Sequence, residues 1–134
     1  DGSVTATNDF RNQPPEWADL PAVFRRGMRS VAVGAGSSNL AAITLRGEVI
    51  DGKGEKIAKN LKDIVEVKAG GDAVIAKNLD GEWHIAKPGD AEMAKLLATA
   101  LATPRIIDID LHNYDNSGDG KLVSRAVLWI EAAP

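Results

Sequence analysis

SVAVGAGSSNLAAITLRGEVI at residues 30–50 and IVEVKAGGDAVIAKNLDGEWH at residues 64–84 are two versions of one pattern, 34 positions apart. Each has an alternating apolar run, Ala-Gly, a second apolar run, then Gly-Glu and a third run. Alternation with period two sends successive side chains to opposite faces of an extended strand. A repeat of this length is one supersecondary unit copied side by side, each copy unable to bury its apolar face alone. Strands are expected at Val31–Val33, Leu40–Leu45 and Val49–Ile50 in the first copy. In the second they are expected at Ile64–Val67, Ala73–Ala76 and Trp83–Ala86. Arg46-Gly47 and Asp80-Gly81 fall between the second and third strands, where a tight hairpin needs a residue that tolerates positive φ. Gly36 and Gly70-Gly71 mark the preceding turn.

Two further segments match part of this template. Arg105–Leu111 (RIIDIDL) reads as a first strand and Ala126–Glu131 (AVLWIE) as a second, while Asp1–Ala6 (DGSVTA) matches the turn and third strand alone. The third unit, 105–134, therefore lacks a last strand that 1–6 could supply, as in a ring closed by its two chain ends. Residues 7–29, with Pro14-Pro15, Trp17 and Pro21, form an irregular connector. Residues 91–102 (AEMAKLLATALA) carry Met93, Leu96, Leu97, Ala100 and Leu101 on one helical face, with Asp90 as N-cap and Pro104 as terminator. That helix is expected to cover part of the sheet core. The fold class is mainly all-β, with propeller-like repeat units and one inserted α-helix, in a single domain over 1–134. The units fall at about 30–54, 64–87 and 105–134.

Bulk composition narrows the function. A net charge of −3 argues against a dedicated nucleic-acid binder. The absence of cysteine removes disulfides, thiolate metal sites and thiol nucleophiles. No apolar run approaches the ~18 residues of a membrane span. The chain opens on Asp1-Gly2-Ser3-Val4 in the middle of a repeat, without Met, which suggests a segment of something longer.

VAVGAGSSNLAAITLRGEV and VEVKAGGDAVIAKNLDGEW, together with DGSVTA, resemble the repeats of the regulator-of-chromosome-condensation family. That family's unit is a propeller blade: an alternating strand, Ala-Gly, a strand rich in Leu and Ala, Asp-Gly, and a strand ending in Trp-Gly. The chain departs from the pattern where the family has His, placing Ser38-Asn39 and Asp72-Ala73 there. Thr7-Asn8, Gly52-Lys53 and Ala86-Lys87 replace the terminal Trp-Gly. No residues match a nucleotide-exchange site. The resemblance implies a binding or scaffold module, as in bacterial proteins with such repeats. Since propellers have ~4–8 blades, it also implies missing blades or self-association. The expected partner is a protein or a second copy of the chain, with no membrane and no nucleic acid.

Among chemistry-bearing motifs the sharpest is Asp115-Asn116-Ser117-Gly118-Asp119-Gly120-Lys121-Leu122, which reads as the first half of a calcium loop. Asp115, Ser117, Asp119 and the carbonyl of Lys121 are the candidate Ca2+ ligands, with Asp110 in reach of the set. Ala126 stands at the position where a bidentate carboxylate is needed, and the composition also suits a plain loop. Asp108 and Asp110 share one strand face, as a solvated side or an acid–base pair. His84 and His112 have no metal-pair spacing, and Gly34-Ala35-Gly36-Ser37-Ser38 lacks the ending of a phosphate loop. Trp17, Arg25 and Arg26 are candidate interaction residues, whereas Trp83 and Trp129 read as core. Lys53, Lys56, Lys59 and Lys62 recur every three residues as a solvated face. The sequence therefore reads as a non-enzymatic interaction module, with a calcium-assisted or carbohydrate-binding domain as the alternative. On that alternative, millimolar calcium raises the melting temperature by mass action and Asp119→Ala abolishes the rise, which scanning fluorimetry with and without calcium would check.

Overall fold

The computed structural model describes residues 23–24, 27–33, 40–115 and 122–132. The elements run β1 (Met28–Val33), β2 (Leu40–Thr44), β3 (Val49–Asp51), β4 (Ile64–Gly70), β5 (Ala73–Asn78), β6 (Trp83–Pro88), α1 (Ala91–Ala100), β7 (Ile106–Asp115) and β8 (Leu122–Ile130). They form antiparallel sheets in the order β1-β2-β3, β4-β5-β6 and β7-β8. The chain is mainly β, built of repeated units with one helix. The expected helix ends two residues early, at Ala100, and Asp90 caps it by accepting from the Met93 N–H at 2.8 Å. Residues 1–6, the expected third strand of the last unit, lie outside the described residues, as does nearly all of the connector 7–29.

Two details shared by all three sheets, and a third shared by two, mark the sheets as versions of one unit. Each first strand is preceded by a residue with positive φ: Gly27 at 89°, Asp63 at 56° and Arg105 at 59°. Each first strand then has an irregular register after its first residue, between Met28 and Ser30, Ile64 and Glu66, and Ile106 and Asp108. A β-bulge of this kind bends the strand and increases its twist. Arg29, Val65 and Ile107, the bulged residues, all face solvent. The returning strand is tied to the unit's start in two copies, by Leu79 N–H to Asp63 O and Glu131 N–H to Arg105 O, both 2.9 Å.

The turns repeat as well. Thr44-Leu45-Arg46-Gly47-Glu48, Asp51-Gly52-Lys53-Gly54-Glu55 and Asn78-Leu79-Asp80-Gly81-Glu82 fold alike. In each, the fourth-residue N–H donates to the first carbonyl at 2.9–3.0 Å. The fifth-residue N–H donates to the first side chain, at 3.2 Å on Thr44, 3.0 Å on Asp51 and 2.9 Å on Asn78. Gly47, Gly54 and Gly81 have φ of 80°, 82° and 84°, the left-handed position of a three-residue hairpin loop with a bulge.

Stacking follows from the two faces of the middle strands. Leu40 and Ala42 of β2 face Phe24, Met28 and Ile50 in one cluster. On the opposite face of the same sheet, Ile43 and Val49 pack against Ile64, Val67 and Ala76 of the second sheet. Ala73, Ile75 and Trp83 on the other side of that sheet pack against Ile109 and Leu111 of the third, with Met93, Leu97 and Ala100 of α1 joining them. The helix lies against β6 and β8, between the second and third sheets. First strands stand side by side, β1 next to β4 and β4 next to β7.

The Ala-Gly signature carries two separate constraints. Gly71 makes the turn at φ 53°, but Gly70 ends β4, where an added Cβ would stand 2.3 Å from Leu111 Cβ and 2.8 Å from its carbonyl carbon. Gly81 meets nothing within 4 Å and needs glycine only for its φ. Gly70→Ala is therefore expected to cost about 2–3 kcal/mol by overpacking against backbone, and Gly81→Ala about 1 kcal/mol through backbone conformation alone. Urea denaturation of both variants would check the order.

Candidate functional site

Three surface features collect the chemically expressive residues of the described part. The first is a charge cluster where β4 meets β7. Glu66 and Lys68 alternate on β4, Asp108 and Asp110 on β7, and Lys77 lies opposite Glu66 on β5. Lys68 Nζ lies 3.5 Å from Glu66, 3.6 Å from Asp108 and 3.6 Å from Asp110; Lys77 Nζ lies 3.7 Å from Glu66. Asp108 also accepts from the Ile109 N–H at 2.9 Å. Lys77 stands over the Trp83 ring at 5.8 Å, while the Trp83 indole N–H is buried with no partner among the described residues.

Asp108 and Asp110 are half-exposed and share one ammonium group, that of Lys68. His112, on the same strand, is exposed and joined to neither carboxylate by a described hydrogen bond. Among the described residues no group of three or more His, Asp or Glu side chains could hold a metal. Burial depresses the Lys68 pKa, but the carboxylates of Asp108, Glu66 and Asp110 outweigh it and hold the group above its ordinary 10.5.

The second surface is the far face of the third sheet. Val127 and Trp129 of β8 sit at the positions of Ala41 and Ile43 in the first sheet and of Ile75 and Lys77 in the second. Ala41, Ile43 and Ile75 are fully buried, whereas Trp129 is 47% exposed. Trp129, read as core from the sequence, is therefore a surface residue, because among the described residues no sheet lies over it. Among the described residues, four of the nine exposed large hydrophobics belong to this sheet, Ile107, Val123, Trp129 and Ile130, and of these Val123 and Trp129 share the far face. The outer edge of β8 is unpaired among the described residues.

A third feature gathers part of the lysine series. Lys56, Lys59 and Lys62 line an open cleft of about 460 Å3 together with Arg46, over an apolar floor of Val49, Ile57 and Leu61. Glu48 closes on Lys56 at 2.6 Å. His84, on β6, stands 3.4 Å from Asn78 Nδ2 in the preceding turn. Trp17, Arg25, Arg26, Ser117, Asp119 and Lys121 lie outside the described residues, and so does the side chain of Asp115, whose backbone ends β7 opposite Leu122.

Comparison with known protein families, curated proteins and solved structures finds no match to the chain.

Lys68→Gln is expected to cost about 1 kcal/mol, since three carboxylates share this partly buried cation. A folded-state pKa above the unfolded one gives a contribution that is full below pH 10.5 and lost as pH rises through the raised value. The difference in stability between wild type and Lys68→Gln should therefore shrink above that pH, as denaturant titrations along a pH series would measure.

Proposed function

We propose that this chain is a non-enzymatic protein-interaction module built from propeller-type repeats, and that it binds through the uncovered end of its stack. One observation carries the reading. Trp129 is exposed, with Val127 partly buried beside it, at positions whose counterparts in the first two sheets are mostly sealed by a neighbouring sheet. A repeat array gains stability from neighbour contacts, and an end left without one is a surface made for covering. The partner is a protein, either a distinct chain or a second copy. The resemblance to regulator-of-chromosome-condensation repeats points the same way, since loops and exposed faces on such a scaffold vary while the strands stay fixed.

A photo-reactive benzophenone residue placed at Val127 tests the reading. In extract of the source cell it should give a discrete protein adduct that Trp129→Glu suppresses, while the same probe at Thr99 on the exposed side of α1 should give none. Equal yields at both positions would sink the proposal.

A further inference from the structure

The internal interfaces of this chain define what fits its open end. Within the chain, one kind of contact occurs twice in the same direction. The face of the first sheet carrying Ile43, Val49 and Ala32 receives Ile64, Val67 and Ala76 of the second. The equivalent face of the second sheet, with Ala73, Ile75 and Trp83, receives Ile109 and Leu111 of the third. The equivalent face of the third sheet carries Trp129, which is exposed, and Val127, which is partly buried, and no further sheet packs on it among the described residues. Contacts of this head-to-tail kind are heterologous: the surface offered differs from the surface received, so each added unit presents a new open end.

We propose that the open face takes the aliphatic face of another unit of this same kind, stacked head to tail. This rests on reading that face as the docking surface. Charge supports the same occupant. Lys68 of the second unit pairs with Asp110, its own equivalent in the third, and with Asp108. The cluster of Glu66, Lys68, Lys77, Asp108 and Asp110 has three carboxylates against two ammonium groups, a net charge of −1. A unit with a cation at the position equivalent to Lys68 would balance it.

The opposite end of the stack is different. The aliphatic face of the first sheet, with Met28, Leu40, Ala42 and Ile50, is covered by Phe24, which is fully buried, and by Val23. An intact second copy therefore has its aliphatic face covered, which narrows the two partners named above to a distinct chain, and the occupant is a unit without this cover.

The experiment uses the full chain with its cover removed as the probe. Phe24→Ser combined with Trp129→Glu exposes the aliphatic end and blocks the other. Mixed with wild type, this variant should form a 1:1 complex at twice the 14.2 kDa chain mass by light scattering. Val127→Glu in the wild-type partner should weaken that complex at least tenfold. Wild type alone should stay monomeric, and Phe24→Ser alone should form concentration-dependent multimers. If circular dichroism shows that Phe24→Ser does not fold, a tandem chain replaces it, with a second copy of residues 27–134 linked after Pro134. Backbone amides of Val127–Trp129 in its first copy should then exchange at least tenfold more slowly than in the single chain. No complex between folded chains, a complex insensitive to Val127→Glu, or no slowing in a folded tandem would overturn the proposal. If the benzophenone adduct still forms in any of these cases, the docking surface stands and only the identity of its occupant fails.

Discussion

Both faces of β2 and of β5 are apolar, and that constraint governs the rest of the fold. Leu40 and Ala42 look one way and Ala41 and Ile43 the other; Ala73 and Ile75 oppose Val74 and Ala76. A three-stranded sheet with two apolar faces is insoluble by itself and must lie between covers. The second sheet finds them in its two neighbours. At the front, Phe24 and Val23 pack over the first sheet. The space between the second and third sheets is shared with α1, which places Met93, Leu97 and Ala100 into the same cluster. The close passage of β4 and β7 at Gly70 and the ion pairs of Lys68 accompany this stacking. Both require first strands to stand edge to edge.

Much of this is legible in the residues. Alternation located the strands, Asp-Gly and Arg-Gly located the turns, and the Asp90 cap with its apolar stripe located the helix. The 34-residue offset holds from Thr44 to Asn78 and from Gly47 to Gly81, yet the paired registers place Met28 opposite Ile64 in the repeat, 36 apart. Six residues separate Val33 from Leu40, and four separate Ala69 from Val74. A slip of two residues returns every side chain to the same face, so the alternating pattern cannot reveal it.

Other features leave no mark that single-sequence reading can use. Gly27 announces a positive φ, but Asp63 and Arg105 at the equivalent positions do not, and only their common place before a bulge connects them. Trp129 sits in a strand pattern as apolar as that of Trp83, and what separates them is the presence or absence of a covering sheet. The grouping of Lys68 with Asp108 and Asp110 spans about 40 residues of sequence and exists only because β4 and β7 are neighbours.

The shared five-residue turn has a consequence for how the chain finds its fold. Thr44–Glu48, Asp51–Glu55 and Asn78–Glu82 reverse the chain with the same backbone bonds, so turn chemistry alone does not say which strands belong together. Like units in tandem are prone to exchanging partners while they fold. Here the strands themselves discriminate. Glu66 and Lys68 stand where β1 has Ser30 and Ala32. Were β4 to replace β1 beside β2, its ionic side chains would be buried between Ala41, Ile43 and the next sheet without the carboxylates of β7, which is a heavy penalty. The salt-bridged strand thus acts as an address label, sending one hairpin to its own place in a row of look-alikes.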